Sequence, residues 1–245
     1  MLKVDLHIHA QEDKADSHIE YTARQLIDKA AAEQFDVLAF TFHHQFFWNS
    51  EIRSYAQRKK IMLIPGSEMI IEGKDVLVYN IHKEHLQTIK TFDDLREAKK
   101  KDKNIFVIAP HPYYPGSASL GEKLDQHNDV FDAIEFCWLH TSLLTFNTRA
   151  KKAAKNYNKP LIATSDSHYL EFFGNAYTLV HTKKADAKEI FTAIKSGKYE
   201  RHSPKIGLIS AIRVGMRIII ELITLQSKKN KYRNHLKEIR CRTQL

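Results

Sequence analysis

The chain has few of the features that mark exported, disulfide-stabilised proteins. Its 245 residues include two cysteines, Cys137 and Cys241, which cannot form a disulfide framework. Cys137 lies in the apolar run 134–138, so we expect a buried thiol in a reducing, cytoplasmic compartment. Acidic and histidine residues stand where a signal peptide would be apolar, and we therefore expect no signal peptide.

The chain also lacks internal repeats and low-complexity linkers before residue 203. With 43% hydrophobic residues, this length suits one sizeable domain with a full core. The net charge of +9 is uneven, because ten Lys and Arg against two Glu lie from Lys205 onward. We therefore predict a near-neutral domain over 1–204 and a basic C-terminal segment over 205–245. A charge argument for binding nucleic acid applies only to that segment.

Apolar runs alternate with helical patterns along the predicted domain. Strands are predicted at 2–8, 35–41, 61–66, 74–79, 105–109, 132–137, 160–164 and 176–181. Helices are predicted at 20–33, 50–59, 143–157 and 186–196, and one or two helices at 84–101. This alternation is typical of βα units and a parallel sheet. Polar residues follow one end of many strands, which favours a barrel over an open sheet, because those ends converge at one mouth.

The stretch 4–9 alternates apolar residues with Asp5, His7 and His9. A period of two predicts a strand with these three side chains on one face. Two imidazoles placed two residues apart on a strand can bind one metal ion. Alone, the pattern also fits a half-exposed strand with surface histidines.

Later strands end in side chains of the same kind, namely His43, Glu68, His111, Asp166 and His168. Imidazole and carboxylate donors suit Zn, Mn or Fe better than Ca or Mg. The donors exceed what one tetrahedral ion uses, and a carboxylate can bridge ions, so we predict two or three divalent ions. Individually, His43 also fits a plain loop, and His111 a turn between two prolines.

Five motifs, in matching order and spacing over about residues 2–196, resemble the polymerase and histidinol phosphatase (PHP) phosphoesterases. They are Asp5-Leu6-His7-Ile8-His9, Asp36-Val37-Leu38-Ala39-Phe40-Thr41-Phe42-His43, Ile64-Pro65-Gly66-Ser67-Glu68, Ala109-Pro110-His111-Pro112 and Thr164-Ser165-Asp166-Ser167-His168. The resemblance implies a distorted, TIM-like (β/α)7 barrel with a trinuclear metal site. It implies that one ion is held by His7, His9, Glu68 and Asp166, a second by Glu68 and His111, and a third by His43 and His168.

The sequence departs from the family pattern at three positions. A ligand usually follows the first motif, and either Asp16 or His18 can supply it; Asp16 is preferred because its distance from His9 is closer to the family's. Asp75 stands where the family usually has a second histidine for the second ion. Phe42 replaces the usual Asp before His43, which removes a carboxylate that would orient this histidine.

The resemblance implies a phosphoesterase that hydrolyses a phosphomonoester or a short nucleotide or oligonucleotide through a metal-activated water. No Ser or Cys nucleophile stands out. His140, Arg149 and Tyr169 follow predicted strands and are candidates for contact with phosphate, although surface or helix-packing roles fit each of them. Two alternatives remain. An amidohydrolase also opens with His-x-His but normally has a bridging Lys where this chain offers Glu68, and a non-catalytic scaffold would act through the basic tail.

Residues 206–225 are mostly apolar, but Arg213, Arg217 and Glu221 recur every four residues and form one stripe on a helix. A membrane-spanning helix would place these charges in hydrocarbon at roughly 2.5–3.5 kcal/mol each, which disfavours it. We expect an amphipathic helix that packs on the barrel or a second subunit, or lies on a membrane surface. The basic residues after 226 form a solvated tail or bind anionic lipid or nucleic-acid phosphate.

Overall fold

Strands and helices alternate along the part of the chain that the computed structural model describes, residues 1–16, 18–207 and 209–216. The strands are β1 Leu2–Ile8, β2 Val37–Phe40, β3 Met62–Leu63, β4 Gly66–Ile71, β5 Lys74–Tyr79, β6 Phe106–Ala109, β7 Ala133–Phe136, β8 Leu161–Ala163, β9 Tyr177–Val180 and β10 Tyr199–His202. The helices are α1 Ala23–Ala32, α2 Ser50–Arg58, α3 His85–Thr88, α4 Phe92–Lys101, α5 Glu122–Gln126, α6 Asn147–Asn156 and α7 Ala187–Lys195.

The strands form two five-stranded sheets, with the orders β10-β9-β1-β2-β3 and β4-β5-β6-β7-β8. The pairs β1–β2, β2–β3, β6–β7 and β7–β8 are parallel, as predicted. The pairs β4–β5 and β5–β6 are antiparallel, and so are those of β9 with β1 and β10. The protein is thus an α/β fold with mixed sheets, and the predicted parallel pairing holds for only part of each sheet.

Single bridges join the two sheets at both ends. Ile8 at the end of β1 bridges Ser167 beyond β8, and His43 beyond β2 bridges Glu68 in β4. No continuous ladder crosses these joints in the described residues, so the structure does not show the closed barrel. Both joints carry candidate metal ligands or their immediate neighbours.

The buried side chains form three clusters. One contains inward residues from both sheets together with α7, including Leu6, Val37, Tyr79, Ile108 and Phe191. A second packs β4–β7 against α4, α5 and α6, and a third packs β1 and β2 against α1 and α2. The two sheets therefore share one inner core, and most of the helices cover their outer faces.

A tight hairpin positions Glu68. The strand predicted at 61–66 is instead split, and Glu68 lies inside β4 rather than beyond β3. β4 turns directly into β5 through Glu72 and Gly73, whose φ angles are 49° and 75°. Positive φ at both central residues is typical of two-residue hairpin turns, and glycine takes it without strain.

The direction in which the side chains of strand β1 point changes near the end of the strand. Its pairing with β2 shifts register between Asp5 and Ile8. Leu6 packs in the inner core, whereas Ile8 packs in the cluster with α1 and α2. The simple alternation predicted for residues 4–9 therefore does not hold throughout, because such irregularities re-aim side chains, often beside active sites.

The described chain divides into two compact units. The first comprises residues 1–138 and 145–204, and the second begins with 139–144 and resumes at Lys205. In the second unit, Ile206 N donates to His140 O at 2.9 Å, and residues 209–216 are helical. The rest of the predicted amphipathic helix and the basic tail, 217–245, lie outside the described residues. Within the described ranges, no helix combines the length and apolar character needed to cross a bilayer.

We expect Tyr79→Phe to lower the free energy of unfolding by about 1–3 kcal/mol, since it leaves a buried acceptor without a partner. The Tyr79 hydroxyl donates to the Leu6 carbonyl at 2.6 Å and is fully buried, which ties β5 to β1. Urea unfolding would measure the loss. Tyr157→Phe is the matched control, because its hydroxyl bonds to Asp125 at the surface; equal losses in both variants would contradict this role for Tyr79.

Candidate metal centre

Glu68 lies at the centre of the candidate site. Its side chain is 1% exposed and faces four imidazoles. Its Oε2 lies 3.3 Å from His7 Nε2, 3.4 Å from His9 Nε2 and 3.2 Å from His43 Nε2. Its Oε1 lies 3.2 Å from His111 Nε2. The structure thus brings His7 of β1 and histidines from beyond β1, β2 and β6 around one carboxylate in β4.

His7 is held from behind by a second carboxylate. Its Nδ1 lies 3.1 Å from Glu135 Oε2, and its Nε2 lies 3.3 Å from Asp166 Oδ1. Glu135 is fully buried in β7, and its Oε2 also accepts from the His111 main-chain N–H at 3.2 Å. A carboxylate on one ring nitrogen leaves the other nitrogen free to bind metal, the arrangement usual for metal-bound histidine.

Asp16 joins the site and His18 is not among its donor groups. Asp16 Oδ2 lies 3.0 Å from His168 Nε2 and 3.1 Å from His43 Nδ1. The His18 ring stacks on His168 with centroids 6.0 Å apart. Asp16 thus belongs to one donor group, and its preference over His18 as the ligand stays a prediction.

Three overlapping groups of donors could each hold an ion. They are His9, Asp16, His43 and His168; His7, Glu68 and His111; and His7, His9 and Asp166, and the donor atoms in each group lie within 4.8 Å of one another. Ligands of one tetrahedral ion with bonds of about 2.0–2.1 Å lie about 3.3 Å apart. The pairwise separations of 3.2–3.6 Å between the histidines and the Glu68 and Asp166 oxygens fit that spacing.

Buried ring nitrogens without hydrogen-bond partners also fit a role in metal binding. His9 Nε2 and His111 Nδ1 are buried and accept or donate no hydrogen bond, although His9 Nε2 lies 3.4 Å from Glu68 Oε2. Within the described residues, the salt-bridge partners of the surrounding acids are all histidines; these acids are Asp13, Asp16, Glu68, Glu135 and Asp166. Since imidazoles bind metal in their neutral form, the carboxylates then need another cation. The side chains present fit divalent ions.

Charges within the site shift the pKa of several members. Burial alone would lower the pKa of the histidines, but nearby carboxylates outweigh it. Glu68 and Asp166 raise the pKa of His111 to about 9, and Asp16 and Asp166 raise that of His168 to about 9. Asp166, Glu68 and Glu135 likewise raise the pKa of His7 well above its ordinary value.

Two acids also have raised pKa values, which favour their neutral, protonated forms. Burial raises the pKa of Asp5 to about 7, although its Oδ1 accepts from Ser165 N and His7 N. Burial and the neighbouring Glu68 raise the pKa of Asp75 to about 6. In the hairpin, Asp75 pairs with Ile70, which lies two residues after Glu68. Asp75 is not a member of any of the three donor groups. Its predicted role as a ligand stays a prediction.

The three weaker sequence candidates also lie outside the donor groups. Arg149, in α6, places its guanidinium 4.3 Å from the ring centroid of Tyr113 in the loop after His111. Tyr169 follows His168 and packs edge-on against Phe172. His140 belongs to the second unit. Contact of these residues with substrate stays a prediction.

Two carboxylates that contact the candidate ligands, Asp13 and Glu135, were not predicted from the sequence. Asp13 Oδ2 lies 2.9 Å from both His9 Nδ1 and His43 Nδ1. The signal for Glu135 was available, because a lone glutamate interrupts the apolar strand 133–136. Asp13 has no such signal, since it lies in a polar loop where acids are common.

Comparison with known proteins gives one family match and several similar folds. A sequence profile described as PHP-associated (PHP_C) matches residues 145–199. No curated protein gives a significant sequence match. PsfC from Pseudomonas syringae PB-5123 superposes with a TM-score of 0.60 at 16% identity, over 92% of this chain and 98% of its own.

Two further structures share the fold. A proposed metal-dependent phosphoesterase from Bifidobacterium adolescentis ATCC 15703 has a TM-score of 0.50 at 15% identity, over 84% of this chain and 98% of its own. An amidohydrolase from Chromobacterium violaceum, solved with bound sulfate and no metal, has a TM-score of 0.53 at 14% identity, over 81% and 97%. At such identities the likeness shows the fold alone. The profile match and the fold together confirm the predicted resemblance.

We expect the affinity for Zn²⁺ to rise between about pH 6 and pH 9. His111 and His168, with pKa values of about 9, keep their protons at neutral pH without metal and must lose them to bind it. Loading the metal-free protein at pH 7 should therefore release these two protons and, because nearby carboxylates raise the pKa of His7 and His43 as well, further protons from those rings. Calorimetry in buffers of different ionisation enthalpy would count them, and binding without proton release would contradict the expectation.

Proposed function

Because this chain resembles the PHP family in its motifs, in the profile match and in its fold, we propose that it is a metal-dependent phosphoesterase. Its substrate is a phosphomonoester or a short nucleotide or oligonucleotide. The observation that carries the proposal is the set of three overlapping donor groups around Glu68. Two or three Zn, Mn or Fe ions fit the imidazole and carboxylate donors. We further propose that the two sheets are the halves of a distorted (β/α)7 barrel, joined at the two bridges.

The donor groups suggest how the ligands are shared. His7, His9, Glu68 and Asp166 would hold one ion, and Glu68 and His111 would hold a second. Asp16, His43 and His168 would hold the third. His9 also belongs to the group that contains Asp16, and His7 to the group that contains His111. Each of these histidines would therefore lie next to two neighbouring ions.

Divalent ions supply a bound water whose pKa falls toward ~7 and polarise the phosphoryl oxygens. The chain's own residues orient the donor side chains. Glu135 accepts at His7 Nδ1, which leaves Nε2 toward Glu68. Glu68 and Asp166 keep their negative charge in a buried site, because adjacent histidines lower the pKa of both.

Substrate contacts fall to the loops beyond the strands. Tyr114, half-buried after His111, packs edge-on against the His111 ring at 6.5 Å and against Phe146 at 5.0 Å. Arg149 is exposed above Tyr113. A phenol beside His111 suits a substrate that carries a ring, and contact of Arg149 with a phosphate is proposed on the sequence argument. His140 and Tyr169 stay proposed contacts on the sequence argument alone.

A metal-dependent amide hydrolase is the second candidate, since an amidohydrolase shares the fold. The position of Glu68 favours the phosphoesterase, because a carboxylate rather than a lysine lies between the donor groups. An aryl phosphate and the matching anilide, assayed with Mn²⁺ or Zn²⁺, separate the two. A non-catalytic scaffold would instead hold fewer than one tightly bound transition ion per chain.

We expect His9→Ala and Asp166→Asn each to lower kcat/KM for an aryl phosphate by about 100-fold or more. Loss of a partner outside the ligands already costs about 10–100-fold, and a donor should cost at least as much. His181→Ala is the matched control, because this histidine pairs with Glu200 at the surface. Thermal melts would show that the variants fold.

The outcome can contradict the proposal in two ways. Unchanged turnover in either folded site variant would rule out this centre as the catalytic one. Hydrolysis of the anilide without hydrolysis of the phosphate would replace the phosphoesterase with the amide hydrolase.

A further inference from the structure

Asp13 is a buried acid whose contacts all lie inside the candidate site or its loop. Its side chain is 0% exposed. Its Oδ2 lies 2.9 Å from His9 Nδ1, 2.9 Å from His43 Nδ1 and 3.0 Å from the His43 main-chain N–H. Its Oδ1 accepts from Ala15 N at 3.0 Å, which fixes the carboxylate in the first loop. These hydrogen bonds hold the pKa of Asp13 far below its ordinary value despite burial.

Two imidazoles span the space between Asp13 and Glu68. His9 and His43 each direct Nδ1 at Asp13 Oδ2 and Nε2 at Glu68 Oε2. Their rings stack with centroids 4.5 Å apart and 26° between the planes. An ionised carboxylate only accepts hydrogen bonds, so both Nδ1 atoms must carry hydrogens when the rings are neutral. Both Nε2 lone pairs then face the centre of the site.

The residue before His43 gives no such help. Phe42 is fully buried and stacks on Phe47 at 4.7 Å. Asp16 also approaches His43 Nδ1, at 3.1 Å, but it is bonded to His168 and lies in a donor group itself. Asp13 alone among these acids contacts both His9 and His43 through Nδ1 and also takes the His43 main-chain N–H.

We propose that Asp13 is a positioning residue that fixes the tautomer and orientation of His9 and His43 together. The inference rests on the proposed metal centre. His9 belongs to two of the three donor groups and His43 to one of them, so Asp13 links the ion held near Asp166 with the ion held near His168. Its loss would weaken chiefly the ion bound by His9, Asp16, His43 and His168.

The first test measures metal binding rather than activity. Asp13→Asn replaces the charged acceptor with a neutral one of the same size. We expect the full-length variant to bind its weakest Zn²⁺ about 10–100-fold less tightly than wild type in chelator competition. The control is Glu12→Gln, the same change one residue earlier, where the carboxylate accepts from Ala23 N at the start of α1. Its Zn²⁺ affinities should equal those of wild type.

The outcomes separate the two proposals. If wild-type protein binds no tight Zn²⁺, the metal centre itself fails. If wild type binds Zn²⁺ and Asp13→Asn binds it with unchanged affinity, only the role of Asp13 fails. If Asp13→Asn and Glu12→Gln weaken Zn²⁺ binding equally, the cause is a general disturbance of the first loop, and the inference is overturned.

A second measurement needs no variant and so does not depend on folding of Asp13→Asn. In Zn²⁺-loaded wild type labelled with ¹⁵N-histidine, long-range ¹H–¹⁵N correlations report which ring nitrogen carries the hydrogen. We expect His9 and His43 both to carry it on Nδ1. A hydrogen on Nε2 of either ring, with Nδ1 bound to metal, would overturn the role of Asp13.

Discussion

The site depends on one buried carboxylate, that of Glu68. Moving a carboxylate ion out of water costs several kcal/mol unless opposite charges and hydrogen bonds offset the lost hydration. Four imidazole Nε2 atoms lie within 3.2–3.4 Å of the carboxylate oxygens, and these histidines lower the pKa of Glu68 despite its burial. The hairpin of β4 and β5 and the bridge from His43 to Glu68 place the carboxylate where strands from both sheets meet.

The candidate ligands at the strand ends could be predicted, because the strand topology largely determines where they lie. His43, His111 and His168 each follow a short apolar strand, and parallel strands bring such ends to one side of the molecule. Knowing which residue types end each strand therefore suffices to predict that they meet. The antiparallel insertion of β5 does not disturb this, because Glu68 enters from β4, which bridges the end of β2 directly.

The details that the sequence did not reveal are those set by tertiary contacts. The register shift in β1 depends on pairing with β2, and nothing in residues 4–9 marks it. The split of β3 from β4 follows from the sharp change of partner strand, since β3 pairs with β2 and β4 with β5. The partners of Asp13 lie partly 30 residues away along the chain, so local pattern cannot assign them.

Phe42 stands where the resembled family usually has an acid, so a carboxylate that orients His43 has to come from elsewhere in the fold. In the proposed metal site this role requires only a carboxylate at the Nδ1 side of the histidine, and any backbone segment that reaches that point can provide one. Phe42 instead extends the apolar packing with Phe40 and Phe47, while the first loop delivers Asp13 to the same imidazole. Glu135 does the equivalent for His7 from a strand interior. The order of the strands therefore determines where the candidate ligands at the strand ends lie, and sequence motifs can predict them. The carboxylates that bond to the Nδ1 atoms of the histidines can come from any segment that reaches the right position, so sequence motifs do not reveal them.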